Sequence, residues 1–150
     1  MVTDLGEWLD LPPVWLAGFA ATGWALGRLW PLALPGGEWL GGALVVAGLV
    51  LMSVAAAQML AHHTTFVPRR DPSALVTGGV YAFSRNPIYL ADAVVLLGLL
   101  ISWHALWAAP LVPAFMAFIA WRFIRDEEAR IAANFGDAWR AYAARTRRWL

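Results

Sequence analysis

The sequence predicts an all-α integral membrane protein with about four transmembrane helices and an interfacial helical tail, and three observations carry that expectation. Of 150 residues, 61% are hydrophobic and 14% charged, with a mean hydropathy of +0.60. Soluble domains run near about 45–50% apolar and about 25% charged. The charges are also segregated: residues 11–68 hold only Arg28 and Glu38, and residues 86–121 only Asp92. The ten tryptophans are what a chain with much surface at lipid–water boundaries requires. A net charge of +1 argues against a nucleic-acid reader. The absence of cysteine excludes disulfides, thiolate metal sites and a cysteine nucleophile.

The first apolar stretch, residues 14–34, carries Arg28 as its one charge, and the second, 39–61, carries none. At about 1.5 Å per residue each is long enough to cross a hydrocarbon core of about 30 Å. Pro35-Gly36-Gly37 between them is a turn signal that makes them a hairpin. Asp4, Glu7 and Asp10 stand where a signal peptide needs positive charge, so the start does not read as one. Residues 88–121 are apolar again, too long for one crossing. They are expected to form compact helices over about 87–101 and 106–124, turning at Ser102-Trp103-His104, with Pro110 and Pro113 near the start of the second, where proline is tolerated.

Four crossings put both termini on one side. Ten of the 11 arginines fall on that side, in the 62–86 connection and in the end of the fourth crossing plus the tail, against Arg28 toward the other. The positive-inside rule makes the rich face cytoplasmic, and the simple layout suits a bacterial inner membrane. In the tail, Ile131, Phe135, Ala138 and Tyr142 form one helical stripe. Asn134-Phe135-Gly136-Asp137 reads as a stop at Gly136 and a restart with Asp137 as N-cap. A cationic stripe with Trp139, Tyr142 and Trp149 suits a helix on the membrane surface. The whole of residues 1–150 reads as a single domain.

Two polar segments share the arginine-rich face. The first is Thr77-Gly78-Gly79-Val80-Tyr81, followed by Arg85-Asn86-Pro87-Ile88-Tyr89-Leu90. It puts a charge and an amide before a proline that opens a helix, whose N-terminal N–H groups and dipole seat a carboxylate or phosphate. Its simpler use is an interfacial anchor, arginine to lipid phosphate and tyrosines in the aromatic belt. The second is Arg125-Asp126-Glu127-Glu128, three carboxylates fit to bind an ammonium group, or to pair with Arg122, Arg125 or Arg130. Together the segments supply a cation and an anion for a zwitterionic amino acid group, with aromatic rings for an adenine or a sulfonium. Asp92, an intramembrane carboxylate, is a catalytic or substrate-orienting candidate unless it pairs with Arg85 or Arg122. His62-His63 reads as interfacial rather than as a metal site, because helical neighbours point about 100° apart. Gln58 suits an interhelical hydrogen bond, and Gly41, Gly42 and Gly48 suit close helix packing. Arg69-Arg70-Asp71-Pro72 suits a headgroup contact.

Gly78-Gly79-Val80-Tyr81, then Arg85-Asn86-Pro87-Ile88-Tyr89-Leu90, then Glu127-Glu128 and Phe135-Gly136-Asp137-x-Trp139-x-x-Tyr142 resemble the isoprenylcysteine carboxyl methyltransferase family, itself related to the membrane phospholipid methyltransferases. The likeness covers about residues 67–150, the half that would hold the cofactor. Gly79 stands for the family's usual proline, Asn86 for its histidine, Ala91 for a glycine and Trp139 for a tyrosine. The resemblance implies a membrane methyltransferase using S-adenosylmethionine (SAM), with no metal, acting on an isoprenoid, lipid or other amphiphilic acceptor reached from the bilayer. It implies cofactor-binding roles for Gly79, Tyr81, Arg85, Asn86, Pro87, Tyr89, Leu90, Glu127 and Glu128, and a catalytic role for Arg85; an amine or hydroxyl acceptor would need a base, for which Asp92 is the nearest candidate inside the membrane. A sterol-type NADPH-dependent reductase and a non-catalytic membrane scaffold are the competing classes.

Overall fold

The computed structural model describes residues 10–64 and 72–150. Asp4, Glu7 and Arg69-Arg70-Asp71, all weighed above, lie outside the described residues. The elements are α1 (Pro12–Leu29), α2 (Gly37–Ala61), a 3-10 turn (Gly79–Ala82), α3 (Pro87–Ser102), a second 3-10 turn (Leu106–Ala108), α4 (Leu111–Ile119), a π-helical turn (Ala120–Ile124) and α5 (Arg125–Arg145). Among the described residues the only β pairing is an isolated parallel bridge between Leu32 and Ala105.

Proline sets several boundaries. α1 opens on Pro12-Pro13, where a missing N–H costs no helical bond. It ends at Leu29, short of the expected residue 34, because Pro31 drives Trp30 out of helical geometry (φ −135°, ψ 81°). α3 opens on Pro87. The expected single helix 106–124 is instead broken into the second 3-10 turn, α4 and the π turn, with Pro110 as the N-cap of α4. A helical path then runs on to Arg145, so no loop separates the last apolar stretch from the tail.

Two helical stretches are long and apolar enough to cross a membrane: Gly37–Ala61, with mean hydropathy 2.3, and Leu106–Arg145, with mean hydropathy 1.5. On α2, Val46, Leu49, Val50, Val54 and Leu60 are exposed, an apolar face that water alone would not leave uncovered. α3 is its opposite. Ala91, Leu96 and Leu100 are fully buried, with Ala93 and Val95 nearly so, making α3 the helix around which the others pack. Its contact with α2 depends on absent side chains: a Cβ on Gly98 would lie 2.6 Å from the Gly41 carbonyl oxygen, and one on Gly48 2.9 Å from that of Ala91. Gly42, grouped with these from sequence, has nothing within 4 Å and plays no part in the packing. Against the other side of α3, Phe115 and Ile119 of α4 fill the core, and Phe19 of α1 meets Phe115 edge-on at 5.4 Å.

α5 bends where the sequence placed a stop. Gly136 adopts φ 49°, ψ −116°, a backbone shape that side chains resist. Past the bend, Asp137 pairs with Arg140, and Trp139 and Tyr142 are buried. The tail therefore folds back onto the protein instead of resting on the membrane surface alone.

Candidate functional site

The N-terminal end of α3, the loop before it and the first turns of α5 close around one cavity of about 480 Å³. It lies at the same end of the bundle as the start of α1 and the end of α2. Loop position is fixed first. Gly79 has φ 57°, and a Cβ there would lie 1.7 Å from the Gln58 amide nitrogen. Proline, held near φ −65°, does not fit this backbone, so the glycine and its close approach to α2 belong together. Gln58 Oε1 accepts from the Val80 N–H at 3.2 Å. Tyr81 Oη donates to the Ala55 carbonyl at 3.4 Å, and the Tyr81 carbonyl accepts from Tyr142 Oη at 2.6 Å.

The end of the tail clamps the loop from the other side. The Arg85 N–H donates to the Arg147 carbonyl at 3.0 Å. Asn86 Nδ2 and Ser84 Oγ both donate to the Arg148 carbonyl, at 3.2 and 3.3 Å. Asn86 thus spends its amide on the backbone of the tail. No side chain caps α3, so its first N–H groups remain open near the cavity that Pro87, Ile88 and Tyr89 line.

The two adjacent glutamates separate. Glu127 lines the cavity and accepts from Tyr89 Oη at 2.8 Å. Burial pushes its carboxyl above the usual range, opposed by the Tyr89 hydrogen bond and the Arg130 charge. Glu128 is not among the cavity's lining residues. It takes Arg148 Nη2 at 2.6 Å and Nε at 3.3 Å, and Arg85 Nη2 at 3.2 Å. The Glu128 hydrogen bond raises Arg148 above its ordinary value. Burial lifts Tyr142 to about 12 and also raises Tyr81.

Arg85 is shared between these two functions. Its guanidinium lies 5.5 Å from the centre of the Trp139 ring, and it lines the cavity. Its Nε is buried without a hydrogen-bond acceptor among the described residues. A buried donor left open beside a cavity costs on the order of 1–3 kcal/mol and suits a ligand that brings an acceptor.

Of the residues singled out from sequence, Tyr81, Arg85, Asn86, Pro87, Tyr89, Asp92 and Glu127 line the cavity, whereas Gly79, Leu90 and Glu128 do not. Asp92 pairs with neither arginine offered to it: Arg122 holds Asp10, and Arg85 holds Glu128. Arg130, Ile131 and Trp139 also line the cavity. The first two follow Glu127 at helical spacings of three and four, which places them on its face. Met52, Ala56 and Met59 contribute a wall from α2, a stripe at spacings of four and three.

A family model described as phospholipid methyltransferase matches residues 37–138. No curated protein matches the chain.

Proposed function

The chain belongs to the phospholipid methyltransferase family and is a membrane methyltransferase; from that premise we propose that it uses SAM to methylate an amphiphilic acceptor reached from the bilayer. The observation that carries the proposal is the single cavity onto which the loop before α3 and the acidic turn of α5 converge. Its volume, about 480 Å³, falls in the range of about 300–1,000 Å³ usual for small-molecule sites.

The residues fit this cofactor. Arg85 Nε, an unmet donor, and the uncapped N–H groups of α3 would hold the amino acid carboxylate. Glu127 would take the ammonium, which offsets the cost of keeping a carboxylate charged in a buried site. Trp139, Tyr142 and Tyr81 offer aromatic faces to the sulfonium or adenine. When bound, SAM supplies an electrophilic methyl group. The protein's own task is alignment and exclusion of water. Glu128, itself gripped by Arg148, holds the Arg85 guanidinium in place, and Tyr89 orients Glu127. Met52, Ala56, Met59, Leu75, Val76 and Ile88 give the cavity an apolar wall suited to an acceptor's hydrocarbon part.

We further place four helices across the bilayer, with residues 1–150 as one domain, and the arginine-rich face with both termini in the cytoplasm. α1 and α3, 18 and 16 residues long, would reach only about 24–27 Å at 1.5 Å per residue. Both would therefore cross as short helices with locally thinned lipid. Titration calorimetry on purified protein tests the central claim: SAM or its demethylated product binds, and NADPH does not compete. Folded protein that binds neither nucleoside would overturn it.

A further inference from the structure

We propose that Asp92 takes the proton released by the methyl acceptor, so the reacting atom is an N–H nitrogen or an O–H oxygen and not a carboxylate. The inference rests on the SAM-dependent reading above and adds to it the chemical class of the acceptor. Asp92 is 4% exposed, lines the cavity and makes no hydrogen bond or ion pair with any described residue. The two glutamates of α5 at this end are already engaged: Glu127 with Tyr89, Glu128 with Arg85 and Arg148. A carboxylate out of water and without a partner is costly to keep, and one at membrane depth marks a functional site by default.

Position supports the assignment. Asp92 follows Tyr89 by three residues on α3, so the two share a face, and both open on the same cavity. Asp92 is one turn deeper along α3 than the loop residues expected to hold the cofactor. Met52 and Ala56 of α2 line the same cavity. An acceptor arriving from the bilayer meets the carboxylate there. A carboxylate acceptor would be repelled at that spot, since like charges in a low-dielectric site interact strongly. It would also need no base.

The step balances. A bond forms between the acceptor nitrogen or oxygen and the methyl carbon, using an electron pair of the acceptor. The carbon–sulfur bond breaks, and its pair stays on sulfur as a neutral thioether. The acceptor's proton passes to an Asp92 carboxylate oxygen. One positive and one negative charge disappear together, which a low-dielectric cavity favours.

The test uses full-length protein in detergent micelles, SAM with a labelled methyl group, and three probes of equal chain length: dodecylamine, dodecanol and dodecanoate. SAM binding is measured first by calorimetry; its absence counts against the cofactor reading, not against Asp92. In protein that binds SAM, label is expected on the amine or the alcohol, which distinguishes nitrogen from oxygen, and not on dodecanoate. Asp92→Asn should lower kcat by about 10²–10⁴-fold while SAM affinity changes less than about threefold, and Asp92→Glu should restore part of the rate. A second readout needs no turnover: without SAM, dodecylamine should bind wild-type protein about tenfold tighter than the Asp92→Asn variant if nitrogen is the acceptor. Label on dodecanoate, label on none of the three, or an Asp92→Asn variant with wild-type kcat would each overturn the proposal. If Asp92→Asn no longer binds SAM, the wild-type preference among the three probes decides.

Discussion

The bundle has a hollow at each end, and the two are built by opposite means. One, of about 480 Å³, lies between the start of α3 and the turn into α5; the other, of about 370 Å³, lies between the end of α1 and the turn after α3. The second has cationic and aromatic walls too: Arg28 sits 5.7 Å from the Trp24 ring centre, and His104 is 3.4 Å from Glu38. Arg28, Trp24 and Glu38 are exposed at the surface and His104 is half-buried. At the first end, Asp92 and Glu127 are held out of water and Arg85 keeps an unsatisfied buried donor. Its loop is clamped by residues more than 60 positions away, Arg147 and Arg148 among them. Charge beside aromatic rings is ordinary at a membrane boundary. What marks a site is polarity that the fold buries and leaves unmet.

The largest effect should separate the two ends directly. Arg85→Ala is expected to weaken SAM binding about 100-fold, or about 2.8 kcal/mol, whereas Arg28→Ala leaves calorimetric affinity within about twofold. Comparable losses from both would erase the distinction. Next in size, Gly98→Val forces α2 and α3 apart where the Gly41 carbonyl leaves no room. It should cost about 1–3 kcal/mol, read as a lower Tm in detergent.

A smaller effect is pH-dependent. Burial raises the Glu127 carboxyl above its ordinary 4.5. Its contribution to the stability of ligand-free protein is therefore fully present below about 4.5 and is lost as pH rises through the raised value. Glu127→Gln should flatten that decline and raise the Tm at neutral pH while weakening SAM binding; an unchanged pH profile would contradict the burial of this carboxyl. Smallest of all, Arg140→Ala breaks an exposed pair with Asp137 and should shift stability by less than about 0.5 kcal/mol, measured by the same melts.

Much of this organisation was legible in the sequence because proline, glycine and charge leave local marks. Pro87, the turn at residues 35–37 and the bend at Gly136 all follow from backbone chemistry, and Pro31 carried the end of α1 in plain view. The separation of Glu127 from Glu128 also follows from neighbours pointing about 100° apart on a helix. Other features left no local mark. Met52, Ala56 and Met59 face the cavity, yet in an apolar helix they look like residues that face lipid. The grip of Arg148 on Glu128, and the use of Asn86 to hold the tail, join segments whose pairing only the folded chain reveals.

The π-helical turn at Ala120–Ile124 controls more than its own five residues. It widens one coil of a helix that otherwise continues into the acidic turn, and so sets the clocking of everything downstream. Winding those five residues as plain α-helix, with none removed, would rotate the following segment by about 100°. Glu127 would swing off the wall it shares with Tyr89, and a neighbour would take its bearing. The wide coil works as a phase adjuster, deciding which of three consecutive acids looks inward.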